Sequence, residues 1–90
     1  MGKYMISDRV IRDIVEYATY KVPGVHRILK IDVDNHANGI VIRMDISATY
    51  GKPLNKLAKG LQGKINQEVE YMTSINILET NINVKELVTP

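Results

Sequence analysis

The sequence has no cysteine, no tryptophan, no phenylalanine and only three prolines in its 90 residues. Lack of cysteine excludes disulfide staples, thiolate nucleophiles, cysteine-ligated zinc and iron–sulfur clusters, all of which need sulfur, and it suits a reducing compartment. With five tyrosines as the only aromatics, the core must be built from Ile, Val, Leu, Met and Ala, which the 44% hydrophobic content supplies. Neither charge sign dominates: 12 basic against 10 acidic residues leave +2, too balanced for charge alone to indicate a nucleic-acid binder. No apolar run approaches the roughly 18 residues that would span a bilayer, and the first twenty residues lack the basic start and apolar centre of a signal peptide. The expectation is a single domain over residues 1–90, cytoplasmic, whose folding buries about two-thirds of its surface and leaves little room for a deep catalytic cavity.

Ser7 is a good N-cap and Asp8 suits the positive end of a helix dipole, so a helix is expected from there. At 100° per residue, Val10, Ile11, Ile14, Val15, Tyr17, Ala18 and Val22 share one side, while Asp8, Arg9, Arg12, Asp13, Glu16 and Thr19 share the other. Pro23 disfavours helix at Val22, and Gly24 tolerates the turn, so the helix should stop near Tyr20 or Lys21. The period then changes to two, with Leu29, Ile31 and Val33 on one face and Ile28, Lys30 and Asp32 on the other. Asp34 to Gly39 reads as a hairpin connection, and Ile40, Ile42, Met44, Ile46, Ala48 and Tyr50 mark the clearest strand.

Gly51-Lys52-Pro53 breaks that strand, and Pro53 is placed to open a second helix running to about Tyr71, with Leu54, Leu57, Ala58, Leu61, Ile65, Val69 and Met72 as its apolar stripe. Gly60 and Gly63 inside it cost roughly 1 kcal/mol each, which suggests close packing there. A last strand carries Leu78, Thr80, Ile82 and Val84, with Ile75 and Ile77 out of phase, so a bulge is expected near Leu78. The fold class is therefore α+β: a two-layer sandwich in the order helix-strand-strand-helix-strand, with both helices on one face of a mainly antiparallel sheet. Were Lys3 to Ile6 to add a strand, the order would become ferredoxin-like; without it a KH-like or simpler α-β-β-α-β sheet remains.

The runs Ile6-Ser7-Asp8-Arg9-Val10-Ile11, Val22-Pro23-Gly24-Val25, Tyr50-Gly51, Met72-Thr73 and Asn81-Ile82-Asn83-Val84, in that order, resemble the alkaline shock protein family of general-stress and envelope-stress proteins. The resemblance implies a small non-enzymatic protein of the envelope or alkaline stress response, in some members held at the membrane by a separate anchoring protein. It brings no catalytic residue and no cofactor. Ser74 departs from the glycine that many members carry after Met-Thr, and the extended polar tails of longer members are absent from this sequence.

Candidate sites are few. Lys52, Lys56 and Lys59, extended by Lys64, form a positive ridge that could meet phosphate or an anionic surface, although a solvated helix face is the simpler account. Gly60-Leu61-Gln62-Gly63 matches the spacing of a KH phosphate clamp, but the apolar stripe runs through it unbroken. His26 and His36 have no acidic or histidine cluster at ligand spacing, so no metal site is expected. Ser7, Ser47 and Ser74 have no base placed beside them, and Asp32 with Asp45 is explained by ion pairing with Lys30 and Arg43. Val22-Pro23-Gly24-Val25 and Tyr50-Gly51 read as structural turns. What remains is an uncovered sheet face bearing Ile28, Val41, Ser47, Thr49 and Asn81, a sheet edge, and the tyrosines Tyr17, Tyr20 and Tyr71. These point to a non-enzymatic interaction module with a protein partner and self-association. A nucleic-acid module using the lysine ridge is the alternative.

Overall fold

A computed structural model describes residues 5–89. The elements are α1 (Asp8–Tyr20), β1 (Val25–His36), β2 (Gly39–Thr49), α2 (Leu54–Thr73) and β3 (Ile77–Val88). Ser7 caps α1 as its spacing predicts, its hydroxyl accepting from the Val10 amide at 3.4 Å. The helix ends before Pro23, and Gly24 makes the turn at φ 104°, where a side chain would be strained. The candidate N-terminal strand falls partly on residues 3 and 4, outside the described residues; Met5 and Ile6 are in no strand.

The sheet order is β1-β2-β3. β1 and β2 pair antiparallel through the hairpin, whereas β2 and β3 pair parallel because the 20-residue α2 carries the chain back across the sheet. The sheet is thus mixed, one ladder of each kind, in the α-β-β-α-β order. The core lies between the helices and one sheet face: Ile11, Ile14, Val15 and Ala18 of α1, Leu61, Ile65 and Val69 of α2, and Ile40, Ile42, Met44 and Ile46 of the central strand.

Two positions turn inward against expectation. In β1 the register slips between Val25 and Arg27 and again between Ile28 and Lys30, leaving His26 and Leu29 as the extra residues. The second slip turns Ile28 inward opposite Ile46 and leaves Leu29 exposed, the reverse of what strict alternation predicts. Thr19, expected on the wet side of α1, is fully buried. Its hydroxyl donates to the Val15 carbonyl at 2.7 Å and lies 3.7 Å from Met44 Sδ, so its polarity is satisfied within the core.

The bulge expected near Leu78 is present: Ile77 faces Ile40 while Glu79 faces Val41. Gly60 and Gly63 are not explained by close packing, because a Cβ at either would meet nothing within 4 Å. Ser74 closes α2 in the left-handed conformation, φ 58°, a backbone geometry that glycine adopts without strain.

Candidate interaction surface

Among the described residues no helix covers the second sheet face. Its outward residues form rows across the three strands: Asp34, Val41 and Glu79; Asp32, Arg43 and Asn81; Lys30, Asp45 and Asn83; Arg27, Ser47 and Glu86. Opposite charges therefore face one another across the hairpin, as the pairing of Asp32 and Asp45 with Arg43 and Lys30 predicts. The ionic contacts themselves run diagonally or along a strand, Arg43 to Asp34 at 3.6 Å and Lys30 to Asp32 at 3.4 Å, while the Asn83 amide donates straight across the β2–β3 ladder to Asp45 at 3.1 Å. This face differs from the mixed β-branched surface expected. Ile28 points inward, Val41 and Ser47 are buried between their flanking strands, Thr49 and Asn81 are half-buried, and what reaches solvent is mostly charged.

One contact here has no signal in the sequence. His26 Nδ1 lies 3.3 Å from Ser47 Oγ, brought there because His26 is the extra residue of the β1 bulge. Ser47 is only 1% exposed, so a substrate carbonyl has no approach to its hydroxyl, and the pair is a structural contact. His36 sits at the hairpin, 3.3 Å from Asp34. Among the described residues no group of three or more His, Asp or Glu gathers as metal ligands.

The lysine ridge is shorter than four residues. Lys52, Lys56 and Lys59 are exposed with no ionic partner among the described residues, whereas Lys64 is bound by Glu68 at 3.3 Å. The N-terminus of α2 has neither a side-chain cap nor an acidic first turn, so its dipole adds to the positive potential around the three free lysines. Gly60 and Gly63 lie inside continuous α2 and make no KH-type loop.

Glu68 also reaches Lys21 of α1 at 3.5 Å, and Lys21 Nζ sits 4.1 Å from the centre of the Tyr17 ring, so a charged bridge ties the two helices. Burial pushes the Glu68 carboxyl up, but hydrogen bonding from Lys64 and the charges of Lys21 and Lys64 outweigh it, and its pKa falls below the ordinary carboxylate value. Lys21 is raised, chiefly by hydrogen bonding to Tyr17 and then by Glu68. A lowered carboxylate stabilises the fold above its ordinary pKa, and that contribution is lost as pH falls through the folded value. Glu68→Gln is therefore expected to lower the melting temperature near neutrality and to differ progressively less from the parent as the pH drops below the ordinary carboxylate pKa. Melting curves of both proteins across an acid pH series check this.

The three tyrosines do not converge. Tyr17 joins Ile6, Val10, Ile14, Met72 and Thr73 around an apolar groove of about 330 Å³ between the start of α1 and the end of α2. Tyr71 borders a separate depression with Gln67 and Glu68, and Tyr20 another beside Arg12 and Glu16. Val22-Pro23-Gly24-Val25 and Tyr50-Gly51 brace the strand ends: the Gly24 carbonyl accepts from the Thr49 amide and the Val88 carbonyl from the Tyr50 amide, each at 2.8 Å.

The model of the alkaline shock protein 23 family, a family of cell envelope-related function, matches residues 29–89. The chain belongs to this alkaline shock protein family. The match begins within β1 and runs through β3, so it covers the sheet and α2. No curated protein matches the chain. Among solved structures, a histidine-to-alanine variant of MamM-CTD superposes with a TM-score of 0.75 at 12% identity, covering 89% of this chain and 98% of that one. The manganese form of a glutamate-to-aspartate variant of MamM CTD gives 0.73 at 12% identity, over 89% and 99% of the two chains. At this identity the likeness establishes a shared fold and nothing further.

Proposed function

We propose that this alkaline shock family member is a non-enzymatic interaction domain of the cell envelope, acting in the cytoplasm through protein–protein contacts that include its own self-association. The observation that carries the reading is the sheet: three strands of 11 or 12 residues with, among the described residues, one face uncovered and an unpaired edge on each side. An unpaired edge offers a row of backbone donors and acceptors to another chain, and proteins that do not use such edges usually cover or break them. No helix among the described residues is long and apolar enough to cross a membrane, so we assign membrane contact to a protein partner. Affinity purification of the tagged chain from its own cells, after mild detergent, tests this. Stoichiometric recovery of an envelope protein is expected; a chain that comes out alone and sediments as a monomer overturns it.

A second reading rests on a separate observation, the three unpaired lysines at the uncapped start of α2. Three phosphate contacts would give a log–log salt slope of about −3 on duplex DNA, and Lys56→Ala would reduce it by about one. If neither DNA nor RNA is retained at low salt, this reading falls.

A further inference from the structure

We infer that the free edge of β3 pairs antiparallel with β3 of a second copy, in the register that places Ile82 opposite Ile82. This rests on the interaction-domain reading and gives its self-association a surface.

The two edges of the sheet differ. β1 is interrupted in its first half by the extra residues His26 and Leu29, and near its far end the Asn35 amide is tied to Asp8 of α1 at 2.9 Å. Its charges are used internally, Lys30 with Asp32 and Asp34 with Arg43. β3 has its irregularities near its two ends, at Leu78 and Lys85, and runs regularly from Glu79 to Val84. It contains no proline. A strand of this length with a regular middle is a template for pairing.

Register follows from the sequence of β3 read against itself. With Ile82 on the two-fold axis, Glu79 faces Lys85 and Lys85 faces Glu79, Thr80 faces Val84, Asn81 faces Asn83, and Ile77 faces Leu87. Both ion pairs form at once, and the regular middle from Glu79 to Val84 finds a partner at every position, with the mismatch of Leu78 against Glu86 confined to the bulged ends of the strand. Sliding by two residues in either antiparallel sense sets Glu79 against Asn83 and Lys85 against Ile77, or Glu79 against Leu87 and Lys85 against Asn81. Odd shifts would oppose inward and outward side chains. Within one copy Glu79 and Lys85 are both exposed and have no ionic partner among the described residues.

A two-fold axis perpendicular to the sheet makes the contact isologous, joins the two sheets into six strands and keeps all four helices on one side. The flank of α2 above β3 is compatible with this. Gln62 Nε2 donates to the Thr80 carbonyl at 2.8 Å, leaving that oxygen its second lone pair, and Asn66 Oδ1 accepts from the Thr80 hydroxyl at 2.6 Å. Gly63, between these two residues, presents no side chain to an approaching neighbour.

Sedimentation velocity on the full chain tests the pairing. The parent is expected to be dimeric at micromolar concentration. Glu79→Lys or Lys85→Glu alone puts like charges opposite each other twice and should weaken the dimer about tenfold or more, since each cross-strand charge pair changes sign. The double reversal should restore it. Because the chain has no cysteine, Asn81→Cys and Asn83→Cys proteins provide a second readout. On oxidation they should link to each other when mixed, and neither should link to itself, as directly opposed strand residues fall within disulfide reach. A dimer indifferent to the charge reversals, or an Asn81→Cys protein that links to itself, overturns this register. A monomeric parent overturns the pairing altogether; if that monomer still recovers an envelope protein, the interaction-domain reading stands without it.

Discussion

Ile42→Ala is expected to bring the domain close to unfolding at growth temperature. Ile42 is fully buried at the centre of the middle strand, opposite Val33 of β1 and Thr80 of β3 and within the core cluster shared with both helices. Removing three carbons there loses their transfer energy and leaves a cavity that two ladders prevent from collapsing, a cost of about 2–5 kcal/mol with the upper half expected at so constrained a site. A domain of this size has roughly 5–13 kcal/mol in total. The melting temperature should fall by about 15–30 °C, at roughly 4–8 °C per kcal/mol for a chain of this length. Ile42→Val, which removes one methylene, should cost about 0.5–1.5 kcal/mol. Melting curves for the two variants decide the matter. An alanine variant no worse than the valine variant would mean that the site relaxes and the core does not depend on the middle strand.

The elements themselves were legible because each rests on local chemistry. The Ser7 cap, the Pro23 stop and the alternation of Ile40 to Ile46 depend on residues within a few positions of one another. The departures come from longer range. Alternation carries a single phase along a strand, so it cannot register the extra Leu29 that turns Ile28 inward, although it did expose the phase break at Leu78 because apolar residues lay on both sides of that bulge. Thr19 is polar, but it follows Val15 by four residues, so helix phase turns it inward, where its hydroxyl donates to the Val15 carbonyl and lies beside Met44 Sδ, a residue 25 positions away. The parallel pairing of β2 with β3 is set by which edge the chain reaches after α2, and no local pattern records that choice.

The candidate surfaces divide in the same way. The loss of Lys64 from the lysine ridge follows from Glu68 at i+4, a spacing visible in the sequence. The contact of His26 with Ser47 needed the β1 bulge and was not visible. Tyr17, Tyr20 and Tyr71 share a residue type, yet they lie on three separate depressions because helix phase and not composition sets their direction. The self-complementarity of β3 is written in the sequence from Ile77 to Leu87, but it acquires meaning only once the sheet order leaves that strand at an edge.

Gly39→Ala is expected to loosen the junction of all three strands. Gly39 ends the β1–β2 hairpin at φ 154° and lies against the segment that leads into β3. A Cβ there would collide with the Asn76 carbonyl oxygen, closer than real side chains come to any atom, and would stand 3.0 Å from Leu78 Cγ. The obstructing atom is backbone and already engaged, since the Asn76 carbonyl accepts from the Ile40 amide at 3.0 Å while the Asn76 side chain donates to the Asn38 carbonyl at 3.0 Å. An alanine must therefore push β3 away from β2 and stretch the Ile40 hydrogen bond. Broken packing and a strained backbone together should cost about 2–4 kcal/mol, or roughly 10–25 °C in melting temperature. Gly63→Ala is the control: nothing approaches its Cβ position, so it should leave stability unchanged or raise it by up to about 1 kcal/mol. Hydrogen exchange adds the location, with faster exchange expected at the amides of Ile40 and Ile77 than at those of Ile46 and Val84. If Gly39→Ala melts with the parent, the approach of Asn76 to Gly39 is not a feature of the folded protein, and the start of the β2–β3 ladder must be placed differently.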